Sequence, residues 1–588
     1  MKIRRLKISN YRGIKSLDWV LPTDERLICL IGPGDSGKSS ILEGLHLLLG
    51  DRWNPSLADT DFFNCDVSEP IVIRAAITDL PAHLLKETAY GLWLSGIDTA
   101  GEVSQDPTDE TEPCIIVQLR IDDSLEPVWT VERLLGGEGK PLNTYARREF
   151  ATFKVDERID VHLRWTRTSA LGRLSDKGSG AKNAMAIASR AAREALASID
   201  DADLTAVADR VQDQANLVGG GRFTAIHPGL DTSMASAGGN LALYEGLVPL
   251  AGYGLGSKRL TGIAVQQLAA GQRSTVLIDE VEHGLEPHRL VRLLQHLLGY
   301  EEYSQVFITT HSPVVVEQSQ TESLAVVRND AGSVVVHSLA TSAGDVALRL
   351  RRSRPSSFLA RRIIVAEGKT EHGLLMKYLE TWDEDRRTQG LSISAGDGTV
   401  IQDAQGGSEV AIRATALREL GYDVAVLVDN DDTSIDDAIA AASAAGVEVF
   451  RWDTGLNTES QVVMHLDQGG VERMLDLGID MRNDRETVLL DLKKHGLPAV
   501  VDTLSLSDWF AAGVTDLAAA KEMVMKAMIK SKWFKDVDSG RRLGEWLMVE
   551  QELFQGTSVE AALAGLRAFA YPARPSGEEE AQAVESDD

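Results

Sequence analysis

Eight residues, Gly32–Ser39 (GPGDSGKS), constrain this chain more than any other stretch. They follow the apolar run Leu27–Ile31 and precede a helical pattern over Ser40–Leu49. Strand, glycine-rich loop and helix is the setting in which G-x-x-x-x-G-K-[ST] cradles phosphate. The glycines let the loop fold back so that its N–H groups point inward, and the helix N-terminus adds its positive dipole end. In this pattern Gly32, Gly34, Asp35, Ser36, Gly37 and Ser40 frame the phosphates. Lys38 reaches the β- and γ-phosphates, and the Ser39 hydroxyl ligates Mg²⁺. ATP with one Mg²⁺ is the expected ligand.

A loop of this kind needs a second strand that ends in carboxylates. Val276–Glu280 supplies one: Asp279 is placed to hold Mg²⁺ through water, and Glu280 to position the attacking water as general base. A further apolar strand runs into Thr309-Thr310-His311-Ser312-Pro313, where His311 can contact the γ-phosphate. Before both comes Gly254-Leu255-Gly256-Ser257-Lys258, heading a helical run. Motifs in this order resemble the ABC-type ATPases of the RecF and SMC branch, over roughly residues 1–345. The resemblance implies that Ser257 contacts a γ-phosphate held by a second subunit, and hence a homodimer or higher homo-oligomer. No long coiled coil separates the two halves, a departure from that branch.

At 588 residues the chain exceeds one core, so two to four domains are expected. The net charge of −28 argues against a protein that coats nucleic acid non-specifically, though basic surface can be local. Part of the excess lies in the tail Glu578–Asp588, which reads as solvated and disordered. Cys29, Cys65 and Cys114 lie far apart without metal spacing, which suits a reducing cytoplasm. No run approaches a membrane span and no secretion segment opens the sequence.

Along the chain, strands are expected at Met1–Leu21 (two, joined at Tyr11-Arg12-Gly13), Leu27–Ile31, Pro70–Leu80 and Cys114–Trp129, with more alternation at Val161, Leu163 and Trp165. Asn183–Leu217 has helical spacing and fits either an inserted pairing surface or an ordinary packed subdomain. Strands return at Ser274–Asp279, Gln305–Thr309, Leu324–Val327 and Val334–His337. Arg349–Arg362 carries a proline, serines and six arginines (Arg349, Arg351, Arg352, Arg354, Arg361, Arg362) and marks a boundary. Those arginines fit either a solvated linker or contacts to DNA phosphates. Beyond it strand and helix alternate: 362–366, 371–380, 411–420, 424–428, 435–445 and 447–451. The fold class is α/β throughout, with a mostly parallel sheet in this second part and a helical stretch over 487–548. The expected divisions are an ATPase first part (1–170), a helical insertion (171–235), an ATPase second part (236–348), a basic linker (349–361), a second α/β domain with helical additions (362–575) and an acidic tail (576–588).

The second α/β part carries its own chemistry. Ile364-Val365-Ala366 delivers Glu367 to a glycine turn, and Ala425–Val428 delivers Asp429-Asn430-Asp431. Two parallel strands ending so put Glu367, Asp429 and Asp431 at one sheet edge, where ligands of open α/β sheets gather. Packed carboxylates repel unless a cation intervenes, and hard oxygen ligands suit Mg²⁺ or Mn²⁺. Two ions could serve phosphodiester hydrolysis. The Glu-Gly…Asp-x-Asp pattern resembles the Toprim domain. An ABC-type ATPase followed by Toprim resembles the OLD (overcoming lysogenisation defect) family of nucleases, including the nuclease subunit of Gabija-type defence, over nearly the whole chain. The resemblance adds Glu371 (from Glu-Gly-x-Thr-Glu), Glu459 and Lys535 to the site, with Lys532 as the second choice of lysine.

The expectation is therefore an ATP-regulated, divalent-metal-dependent DNA endonuclease of anti-phage defence. It would hold two metal ions in the Toprim site and one with ATP. A helicase or reverse-transcriptase partner encoded nearby would fit, and a membrane would not. Two alternatives stay open: an SMC/RecF-like repair ATPase with a binding-only Toprim, and a Toprim RNase toxin.

Overall fold

The structure is a computed structural model. It describes residues 1–50, 55–155, 252–270, 274–299 and 303–572, apart from 135, 137, 138 and 151, with scattered positions between 156 and 251. The strand expected around 161–165 (Leu163 apart), the helical insertion over 171–235 and the acidic tail fall outside the described residues. Contacts divide the chain into two units: residues 1–30, 37–310 and 329–334 form the first, and residues 31–36, 311–328 and 335–588 the second.

In the first unit, β1 (Lys2–Tyr11) and β2 (Ile14–Val20) form the expected hairpin, with Leu6 opposite Trp19 and Ile8 opposite Leu17. β3 is Leu27–Ile31, all five residues buried, and α1 is Lys38–Leu49. β4 (Ile71–Thr78), β5 (Glu112–Ile121) and β6 (Val128–Glu132) extend the hairpin as an antiparallel sheet. Alternation there puts Ile3, Leu6, Ile8, Ile73 and Leu119 inside, as expected of a sheet with one wet face. β7 (Thr152–Val155), α2 (Leu255–Ala270), β8 (Ser274–Ile278) and β9 (Tyr303–Thr309) follow. Here β7, β8, β9 and β3 lie side by side and parallel. β3, β8 and β9 are wholly buried, which explains their mostly apolar or small-residue sequences; the large polar side chain of Gln305 is satisfied by the Ile3 backbone N–H and carbonyl.

In the second unit, α3 (Leu339–Ser353) contains the first half of the arginine-rich stretch, kinked at Gly344 (φ +46°). Several of those arginines are engaged. Arg349 pairs with Glu409 at 3.2 Å and Arg362 with Asp423 at 3.6 Å, while Arg354 donates to the Ile401 carbonyl. The α/β core has four parallel strands: β10 (Arg362–Ala366), β11 (Thr399–Asp403), β12 (Asp423–Val428) and β13 (Glu448–Arg451), in the order β11-β10-β12-β13. Helices α4 (Lys369–Thr388) and α5 (Gly407–Glu419) connect them. After α6 (Thr458–Met464) come α7 (Gln468–Arg482), α8 (Arg485–Lys494), α9 (Leu517–Lys530), α10 (Val537–Val549) and α11 (Ser558–Ala570). Their apolar side chains share one core with Ile364, Ile401 and Leu427. Among the described residues no helix is long and apolar enough to cross a membrane.

Helices α4 and α10 meet through glycines. A Cβ on Gly373 would stand 2.1 Å from the Val537 carbonyl oxygen, and one on Gly540 2.4 Å from that of Thr370. The Thr370 hydroxyl donates to the Phe534 carbonyl, which fixes the chain just ahead of α10 where Lys535 sits. Gly540→Ala should therefore overpack the crossing and cost about 1–3 kcal/mol. Urea unfolding would read this as a lower midpoint with an unchanged slope; an unchanged midpoint would count against the crossing.

Candidate functional site

Two sites emerge. In the first unit, Gly37 (φ +95°) ends the phosphate loop and starts α1, placing Lys38 (4% exposed) and Ser39 on its first turn and Ser40 half-buried behind them. The Ser39 hydroxyl donates to Asp279 Oδ1 at 3.0 Å. The Thr309 hydroxyl donates to the same oxygen at 2.6 Å and accepts the Glu280 N–H at 2.8 Å. One oxygen of Asp279 thus carries the hydroxyl expected to share a cation with it. The Glu280 carboxylate is half exposed, with His283 Nδ1 at 3.6 Å. Ser257, on the first turn of α2, accepts from Arg289 at 3.4 Å. The second unit holds the front of the loop. Gly32 (φ +138°) approaches Val327 so closely that a Cβ would lie 2.6 Å from its carbonyl oxygen. There Ser36 donates to Pro33, the Gly34 carbonyl accepts from Arg361 at 3.3 Å, and Asp35 is left-handed (φ +60°). His311 is exposed, two residues past β9.

The other site lies at the carboxyl ends of β10 and β12. Glu367 Oε2 accepts the Asp429 N–H at 2.8 Å. Glu371, on the first turn of α4, caps that helix by accepting the Gly368 N–H at 3.0 Å. Thr458, at the start of α6, donates its N–H to Asp429 Oδ1 at 2.9 Å. Its hydroxyl lies 2.8 Å from Glu371 Oε1 and 3.0 Å from Asp429 Oδ1, while accepting from Trp452 Nε1 at 2.8 Å. One hydroxyl hydrogen therefore serves two carboxylates. Glu459 is fully buried, and the Lys535 ammonium stands 3.3 Å from its Oε1. Asp431 is exposed at the rim. Lys532, the second choice of lysine, is left-handed (φ +55°) in the turn after α9.

The electrostatics are those of crowded acids. Burial, then repulsion from Glu459 and Glu367, pushes Glu371 above the ordinary carboxylate range. Burial, then Glu371, Glu367 and Glu459, does the same to Asp429. Glu367 is raised by burial and by Asp431. Burial alone would lower Lys535, yet Glu459, Glu371 and Asp429 hold it above its usual value. A divalent cation suits this set. All donors are hard oxygens, and of the two buried Glu459 oxygens Oε1 meets only the Lys535 ammonium while Oε2 has no hydrogen bond. Among the described residues, no three such side chains converge on one point closely enough to hold an ion as they stand.

These raised values carry a sign. A carboxyl with a folded-state pKa above its unfolded value of about 4 binds more protons when folded. Its stabilisation is present below that value and is lost as pH rises through the raised one. The metal-free protein should melt at progressively lower temperature from about pH 5 through 8, and Asp429→Asn should flatten the slope. Mn²⁺ should restore more stability at pH 8, where a hundredfold excess over Kd is worth about 2.7 kcal/mol, than at pH 5. A Mn²⁺ effect equal at both pH values would argue against a carboxylate site.

Sequence reasoning missed Thr309, Thr458, Arg451 and the strand β11. Arg451, at the end of β13, pairs with Asp436 at 2.6 Å and donates to the Asp429 carbonyl at 3.2 Å, steadying the acidic turn.

Fold and first site together define a P-loop ATPase. Residues 1–88 match the family model "AAA ATPase domain", and residues 116–317 match "AAA domain, putative AbiEii toxin, Type IV TA system". A curated "OLD nuclease" from Thermus scotoductus is 23% identical over 469 residues, spanning 74% of this chain and 83% of that protein. This likeness and the two ATPase-domain matches are consistent with an OLD-family ATPase nuclease. Among solved structures, the SMC head domain from Thermotoga maritima overlaps 57% of this chain and 99% of its own at 14% identity (TM-score 0.27). The recombination mediator protein RecF-ATP overlaps 57% and 99% at 15% identity (TM-score 0.31).

Proposed function

We propose that the chain is an ATP-regulated, divalent-metal-dependent DNA endonuclease, with an ABC-type ATPase and a Toprim-type nuclease domain, acting in defence against foreign DNA. The observation that carries this is the second site. Glu371, Asp429 and Glu459 are buried together, a half-exposed Lys535 reaches Glu459 Oε1 at 3.3 Å, and the other Glu459 oxygen has no hydrogen bond. Buried acids with so few partners are the mark of a site that a cation completes. That is a poor design for a passive binding platform. Glu367, Glu371, Asp429, Asp431 and Glu459 would hold Mg²⁺ or Mn²⁺. When bound, such ions activate water and neutralise charge on a phosphodiester. Lys535 is placed to meet negative charge developing on the scissile phosphate. Thr458 fixes the rotamers of Glu371 and Asp429, and Arg451 fixes the turn that presents Asp431.

The test is supercoiled plasmid with Mg²⁺ or Mn²⁺, with and without ATP, beside a structured RNA. Plasmid should be nicked or linearised only when metal is present. Intact plasmid under every condition together with cleaved RNA would overturn the substrate and leave an RNase.

A further inference from the structure

Glu280 has a positive φ of +46°, in the left-handed region that side chains other than glycine rarely adopt. Such a backbone persists only where its surroundings over-determine it, and it concentrates at functional positions. Two groups fix it here. The Thr309 hydroxyl takes its N–H at 2.8 Å. From the other side Arg259, on α2, donates through Nη2 to the Glu280 carbonyl at 2.8 Å and to the Asp279 carbonyl as well. Arg259 is 2% exposed. Burying a guanidinium is costly, so an arginine here is not an incidental surface contact.

The same end of α2 is bound to the segment after β8 by two more contacts. A Cβ on Gly256 would stand 2.4 Å from the Gly284 carbonyl oxygen, so the two backbones touch. The Ser257 hydroxyl accepts from Arg289. Three contacts therefore tie the start of α2 to residues 279–289, and Arg259 is the member that grips the two acidic residues.

We propose that Arg259 is a positioning residue for ATP hydrolysis: it sets the backbone of Asp279 and Glu280, and it makes the first turns of α2 the place from which hydrolysis is controlled. The proposal rests on reading Glu280 as the base that positions water. A ligand contact at Ser257, two residues from Arg259, would then be felt at Glu280.

The full-length chain should be compared as wild type, Arg259→Met, Arg259→Lys and Glu280→Gln. ATP turnover, affinity for a fluorescent ATP analogue and melting temperature are measured for each. Misplacing a reacting group by about 1 Å costs about a hundredfold in rate. Arg259→Met should therefore lower kcat about a hundredfold while analogue Kd stays within about threefold of wild type. Arg259→Lys should recover part of the rate, since an ammonium can also donate to two carbonyls. Wild-type turnover in Arg259→Met would overturn the proposal. So would a loss of kcat that merely tracks loss of analogue binding and melting temperature. Glu280→Gln separates the premise: normal turnover there overturns Glu280 as base, whereas an inactive Glu280→Gln beside a normal Arg259→Met overturns only the role of Arg259.

Discussion

Asp431→Ala should reduce plasmid cleavage at least a hundredfold while leaving ATP hydrolysis and melting temperature at wild-type values. The magnitude follows from its place in the site. Removing a group that merely supports a metal ligand costs about 10–100-fold, so removing a carboxylate of the site itself should cost no less. The selectivity follows from exposure. Asp431 stands at the rim, whereas Glu371, Asp429 and Glu459 are buried, so its loss opens no cavity and strands no polar partner. Its charge is still felt inside, since it helps raise Glu367. Removing it should therefore make Glu367 easier to ionise even as metal binding weakens. Excess Mn²⁺ should rescue cleavage in part if Asp431 acts through the metal. Normal cutting by Asp431→Ala would show that the chemistry lies elsewhere.

Glu367, Asp429 and Asp431 were legible in the sequence because they follow apolar strands whose ends gather at one edge of a parallel sheet, whereas Glu371 and Glu459, on the first turns of α4 and α6, came from the family resemblance. Glu367 and Asp429, at the ends of β10 and β12, are thereby joined by a 2.8 Å hydrogen bond across 62 positions of sequence. The strand between 399 and 403 was not legible. It is five residues long, ends in Gln402-Asp403 and follows Gly396-Asp397-Gly398, which reads as a turn. Thr458 was missed because its value depends on neighbours 29 and 87 positions away, and no local pattern marks a threonine for that. Arg259 was missed for a different reason: it binds carbonyl oxygens, which every residue carries. The arginine stretch misled in the opposite direction. Its composition fitted either a solvated linker or contacts to DNA phosphates, yet Val346, Leu348 and Leu350 lie on a helix. There Arg349, at least, is committed to a carboxylate within the protein.

Lys38→Ala should remove nucleotide control without touching the cutting chemistry. The Lys38 ammonium is the one side-chain charge that the phosphate-loop pattern aims at the β- and γ-phosphates. Its side chain is buried on the first turn of α1, beside Ser39, whose hydroxyl already meets Asp279. Losing one preorganised donor of this kind costs about 10²–10³ in turnover, so ATP hydrolysis should fall by that factor. Cleavage by Lys38→Ala should then be the same with and without ATP, and equal to whichever of the two wild-type levels belongs to the nucleotide-free enzyme. That comparison gives the direction of control. If wild type cuts faster with ATP, the variant should sit at the slow level; if ATP restrains wild type, it should sit at the fast one. Metal-dependent stabilisation at pH 8 should be unchanged, because every carboxylate behind it lies between Glu367 and Glu459. A variant that still answers to ATP would mean that the nucleotide acts from another site. One that loses the Mn²⁺ effect as well would mean that the phosphate loop is needed to build the nuclease site itself.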